Sequence, residues 1–215
     1  TADIPPEIWR QPGFSFMMNA VEDPRTNNFV AEAYPRFGDQ IDVAYQEDLD
    51  VEGKTKGKAK EDLGYTPRFM QAGFEYIKQW YKETQGDTSA TLSEDLPDEV
   101  KAVVEKTLNS ARDSWLRYPS KVEADESEQV IRQYANVSYE INRDEVWPEF
   151  KKLVDADMQD QKVQEMMKDM HKGGERGEGQ QGIPQNLRDK LTQEEQRALE
   201  EAIQNGQLGI QEGRG

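Results

Sequence analysis

Cysteine is missing and histidine nearly so: the 215 residues contain no Cys and a single His, at position 171. Without thiols there is no disulfide framework, no Cys zinc site, no iron–sulfur cluster and no thiol nucleophile. Any histidine-based triad or metal site would have to use His171. Long apolar runs are also missing. No stretch approaches the ~20 apolar residues that cross a bilayer, so membrane insertion is not expected. Basic residues are in deficit, with 27 Lys+Arg against 43 Asp+Glu and a formal net charge of −16. That charge repels phosphate backbones and anionic membranes, and it favours basic partners.

The apolar share is 34% and the charged share 33%, the latter above the usual ~25%. The core should therefore be small for the chain length. Full disorder is not expected, because 4 Trp, 8 Tyr and 7 Phe supply bulky surface to bury. The chain opens on Thr1 rather than Met, which reads as a processed or trimmed start. A cleaved organellar or secretory precursor fits it, and no targeting segment is visible in what remains.

Residues 1–66 read as an extended, irregular arm. Pro5, Pro6, Pro12, Pro24 and Pro35 recur too often for a long helix or a central strand. Yet the stretch carries Trp9, Phe14, Phe16, Met17, Met18 and Phe29, which need a surface on this chain or on a neighbour. Trp9 with Arg10 is the preferred docking element, because Trp and Arg are common anchors of extended peptides. Phe14 and Phe16 would be buried with it. Ile41 to Tyr45 alternates apolar and polar residues, as a short strand does.

From Pro67 the pattern becomes helical, and residues 67–172 read as a small helical body. Phe69, Met70, Gly73, Phe74, Ile77 and Tyr81 share one helical face, closed by Gly86. Pro97 opens a second helix with the stripe Val100, Val103, Val104, Leu108, Ala111, Trp115 and Tyr118. A third candidate carries Val130, Tyr134, Val137 and Ile141, although Val137–Ile141 also suits a strand. A fourth starts at Pro148, runs through Met170 and stops at Gly173-Gly174. Residues 173–191 form a Gly-rich linker. In the final segment, 192–215, Thr192 and Glu195 make a capping box. Ala198, Leu199, Ala202 and Ile203 then form an apolar strip. A lone helix of ~14 residues is marginal in water, so it needs a surface to dock on.

Several motifs fail on spacing. Asp48, Asp50, Glu52 and Gly53 resemble the start of a calcium loop, but the position that should hold a bidentate Glu is Ala59. The Gly53–Ala59 stretch lacks the Gly-x4-Gly-Lys-Ser/Thr register of a phosphate loop. It does hold the one basic patch, Lys54, Lys56, Lys58 and Lys60. This reads as a solvated loop or as a contact for an acidic patch or RNA phosphate. Its surroundings are acidic: net −8 over residues 1–52, against +3 over 53–68. His171 reads as a cation at a helix C-terminus. Asp155, Asp157 and Asp160 read as a solvated acidic face, and Met166, Met167 and Met170 as packing. Asn136-Val-Ser138 matches the glycosylation sequon.

The fold expectation is a mainly α protein: a small helical body with an extended, Pro-rich N-terminal arm and a tethered C-terminal helix. The function expectation is a non-catalytic structural or accessory subunit of a larger assembly. Its partners are other protein subunits, and it needs no cofactor, metal or small-molecule substrate. It docks through Trp9, Arg10, Phe14 and Phe16 of the arm and through Leu199 and Ile203 of the C-terminal helix. The alternatives are a regulatory or nucleic-acid-associated factor using Lys54–Lys60, or an enzyme relying on carboxylates alone.

Overall fold

A computed structural model describes residues 2–37 and 59–176, the last seven as backbone. Every regular element in them is a helix, and there is no strand among the described residues. The elements are α1 (Pro6–Trp9), α2 (Phe14–Ala33), α3 (Arg68–Thr84), α4 (Asp98–Trp115), α5 (Lys121–Glu126), α6 (Glu128–Ile141), a π-helical turn (Asn142–Val146), α7 (Trp147–Asp157) and α8 (Gln161–Arg176). The mainly α expectation holds. The strand alternative for Val137–Ile141 does not, because those residues complete α6.

The irregular arm is the principal correction. Residues 14–33 form a 20-residue helix with Pro24 inside it. A proline there costs ~3 kcal/mol or more, through a missing N–H and a ring clash. Burial offsets it. Phe14, Met17, Met18 and Val21 recur at helical spacing, are at most 1% exposed, and join the main core. Pro24 itself is buried. Pro6 sits at the first turn of α1, and Pro35 follows the end of α2, both positions that proline tolerates.

Helices α2, α3 and α4 pack against one another, and α7 closes over α3 and α4. Trp115, Tyr76, Phe14, Phe69 and Phe150 fill the space between them, each fully enclosed. Phe14 contacts Trp147 edge-on at 5.1 Å, and Phe16 meets Phe69 edge-on at 5.4 Å. The α4 stripe is buried from Val100 to Trp115, as its spacing predicts. On α3 the buried face is centred differently, on Phe69, Ala72, Tyr76 and Trp80, while Phe74, Ile77 and Tyr81 lie at its margin. A second, smaller cluster gathers Phe29, Val30, Phe37, Ala124 and Ile131 where α2 ends against α5 and α6.

Two further expectations change. The fourth helix is two: α7 ends at Asp157, and α8 starts at Gln161 after a turn. Helix α8 then continues through Gly173 and Gly174 to Arg176, so His171 lies within a helix rather than at its end. The strand candidate Ile41–Tyr45, the acidic turn Asp48–Gly53 and the C-terminal capping box lie outside the described residues.

Candidate functional site

The seam between α2, α4 and α6 is polar. Helix α4 ends with carbonyls that no longer have partners within the helix. Two side chains of α2 supply them: Asn28 Nδ2 donates to the Trp115 carbonyl at 3.1 Å, and Arg25 Nη1 donates to that of Arg117 at 3.1 Å. A guanidinium at this end also meets the negative pole of the helix. Arg25 is only 8% exposed, so its charge needs a partner. Glu22, one turn earlier, accepts from Arg25 Nη2 at 2.8 Å and from Ser138 Oγ at 2.9 Å. Trp80 Nε1 donates to Asn28 Oδ1 at 2.8 Å, which ties in α3. Asn142, at the start of the π turn, donates to the Ser138 carbonyl at 2.9 Å. The seam holds helices in register through satisfied bonds. Of the sequon residues, Ser138 is fully buried, while Asn136 is half-buried and hydrogen-bonded to Asp3 at the surface.

The expected acidic face is divided by the fold. Asp155 pairs with Lys151 on the surface, and Asp160 accepts from the Tyr65 hydroxyl at 2.7 Å. Burial and the Asp160 carboxylate push the Tyr65 hydroxyl up to about 12. Asp157 is not solvated. It is 2% exposed and accepts from the Phe69 N–H at 2.9 Å, capping α3 from another helix. Arg68 lies 3.4 Å from its other oxygen. Burial raises the Asp157 carboxyl above its ordinary value, against the downward pull of the Phe69 and Arg68 contacts.

A raised carboxyl binds its proton more tightly when folded than when unfolded. Its contribution to stability is therefore fullest below the unfolded value of about 3.9 and declines as pH rises toward the folded one. Asp157→Asn keeps an acceptor for the Phe69 N–H and removes this titration. Its stability relative to the parent chain should rise as pH climbs from about 3.5 to 6.5, as measured by urea unfolding at each pH. A relative stability that falls over that window would contradict the raised carboxyl.

A groove of about 380 Å³ runs between α4 and α7. Its apolar lining is Ala102, Val103, Leu153 and Ala156. Its edges carry charge. Arg68 pairs with Glu99 at 2.7 Å, while Lys106 and Lys152 share Glu149 at 2.5 and 2.8 Å. The two lysines hold the Glu149 carboxyl below the usual range. One carboxylate serves two ammonium groups at the Lys106–Lys152 edge, whereas at the opposite edge one guanidinium, Arg68, serves both Glu99 and Asp157, so the positive surplus is local to the lysine edge.

The predicted docking residues are separated by the structure. Phe14 is fully buried in this chain's own core, with no surface left for a partner. Phe16 is half-buried between Phe69 and Phe74. Trp9 is half-buried with its ring edge-on to Phe14 at 6.4 Å, and Arg10 is exposed beside it. Lys60 is exposed. Lys54, Lys56, Lys58, Leu199 and Ile203 lie outside the described residues. Among the described residues the exposed large apolar groups are Tyr65, Val137, Leu116, at 51% exposure, and Val122, at 66%; Val137 is expected from its spacing on the apolar face of α6, which instead buries Ile131, Ala135, Ser138 and Tyr139. Leu116 and Val122 lie close together in the chain. They flank the corner joining α4 to α5, beside the second cluster. Leu116 lies outside the α4 stripe, next to the buried Trp115, and no other helix covers it.

Among the described residues no group of three or more His, Cys, Asp or Glu side chains is placed to hold a metal ion, and no helix is long and apolar enough to cross a membrane. Compared with protein-family models, with curated proteins and with solved structures, the chain has no match.

Proposed function

We propose that the chain is a non-catalytic accessory subunit of a larger protein assembly. The observation that carries this reading is the α4–α5 corner. Leu116 and Val122 are exposed within seven residues of each other, and their chain neighbours Tyr118 and Ala124 belong to the cluster that buries Phe29, Val30 and Ile131. Single exposed apolar residues are ordinary, but two at one corner of a highly charged surface suit a protein contact. Arg10, beside the half-buried Trp9, extends the docking surface to the N-terminal end. The segment containing Leu199 and Ile203 is a second docking element.

Size-exclusion chromatography with light scattering on native extract tests this. The chain is expected to elute well above its monomer mass. Leu116→Glu with Val122→Glu should return it to the monomer without lowering its melting temperature. A monomer in native extract, unaffected by the double substitution, would refute the reading.

A further inference from the structure

We propose that the groove between α4 and α7 is the seat of this chain's own C-terminal segment, residues 192–205, bound as an amphipathic helix. The inference rests on reading that segment as a docking helix, and it moves the surface on which the segment docks from a partner to this chain, leaving the α4–α5 corner as the partner contact. Three observations select this occupant.

The first is apolar fit. The groove's accessible floor is made of small and branched side chains, with Ala102 and Ala156 exposed between the better buried Val103 and Leu153. Small residues there leave room for Leu199 and Ile203, one helical turn apart in the sequence. Ala198 and Ala202, a turn apart on the same face, allow close approach. The strip is too short to hold a helix alone, so its burial must come from contact with a surface.

The second is charge. The segment brings Glu194, Glu195, Glu200 and Glu201 against one cation, Arg197. Most of this chain's surface would repel it. The groove edge does not, because Lys106 and Lys152 share a single carboxylate and are both about two-thirds exposed. An added carboxylate near them completes an ion network rather than adding to repulsion.

The third is reach. Asp157, the residue after the groove-lining Ala156, ends α7, and α8 carries the chain only ~24 Å onward at 1.5 Å per residue. The sequence between Arg176 and Thr192 includes Gly177, Gly179 and Gly182, and a Gly-rich coil of that length would span about 20–24 Å on average. The tether therefore covers the return distance without needing to be fully extended.

The absence of native cysteine makes the test unambiguous. In the full-length chain, Ala102→Cys is paired with Ala202→Cys. The control pairs Ala202→Cys with Glu140→Cys, an exposed site on α6. Under mild oxidation in dilute solution, the groove pair should close an intramolecular disulfide about tenfold faster than the control, because docking raises the effective concentration. Adding Leu199→Asp and Ile203→Asp should bring the groove pair down to the control rate. Equal rates for the two pairs would overturn the proposal. So would disulfides found only between chains, which would make the groove a seat for a second copy. Either failure leaves the accessory-subunit reading to be judged by its own chromatography.

Discussion

Phe14→Ala should destabilise the isolated chain by about 3–5 kcal/mol, the range for deleting a fully buried aromatic side chain. Phe14 is 0% exposed, and its ring is met edge-on by Trp9, Tyr139 and Trp147. Truncation would leave a cavity at the junction of α2, α6 and α7, in a core too closely packed to collapse freely. Urea unfolding followed by tryptophan fluorescence measures the loss. The result also separates two roles for this residue. A partner anchor would lower binding and leave the free chain as stable as before. A change below about 1 kcal/mol in the free chain would therefore contradict the packing of α2 in the core.

Gly13→Ala should be comparably damaging although it adds only one methyl group. Gly13 precedes α2 with φ of 80°, in the left-handed region, where a Cβ costs about 1–2 kcal/mol. The added carbon would also lie 2.6 Å from Val154 Cγ2, well inside contact distance. Overpacking of this kind costs a further ~1–3 kcal/mol. The two terms can be separated. Val154→Ala opens space, so the double variant should be less destabilised than the two single losses predict when added. Strict additivity, measured by the same unfolding experiment, would show that the clash is relieved by other movements.

These two sites share a history in the sequence. The stretch 14–33 has a helical stripe at Phe14, Met17, Met18, Val21, Arg25 and Phe29, and that spacing was visible. The expectation of an irregular arm rested on the prolines and did not use that spacing. Pro5, Pro6, Pro12 and Pro35 do lie outside α2 or at its margins, as local rules require. Pro24 is the exception, because the burial of one whole face of α2 offsets a local defect. Propensity is local, whereas burial depends on α3, α4 and α7, so the two cannot be weighed against each other within one segment.

The acidic residues of α7 teach the same lesson in another way. Asp155 and Asp157 are two apart and must face differently on a helix. That much was legible, and so was the conclusion that they do not share an ion. Which of them turns inward was not. Asp157 is buried because the first turn of α3, almost ninety residues earlier, presents an N–H that needs an acceptor. The capping pair Ser120 and Glu123, by contrast, is local and could have been read directly from its spacing. So could the Pro97 start of α4, which was.

By itself the sequence determined the helical class, the face and start of α4, the end of α3 at Gly86, and the lack of any thiol chemistry. Each follows from residue type and spacing over a few turns, or from composition. The tertiary structure alone decided that α2 is core rather than arm and that Asp157 caps α3. It also decided that Leu116 is exposed beside a buried Trp115, and that Lys106 and Lys152 converge on one carboxylate. Those outcomes depend on which helices meet. That is set by burying the most apolar surface that the helices share while giving most buried polar groups a partner, Trp115 Nε1 and the Tyr139 hydroxyl being exceptions.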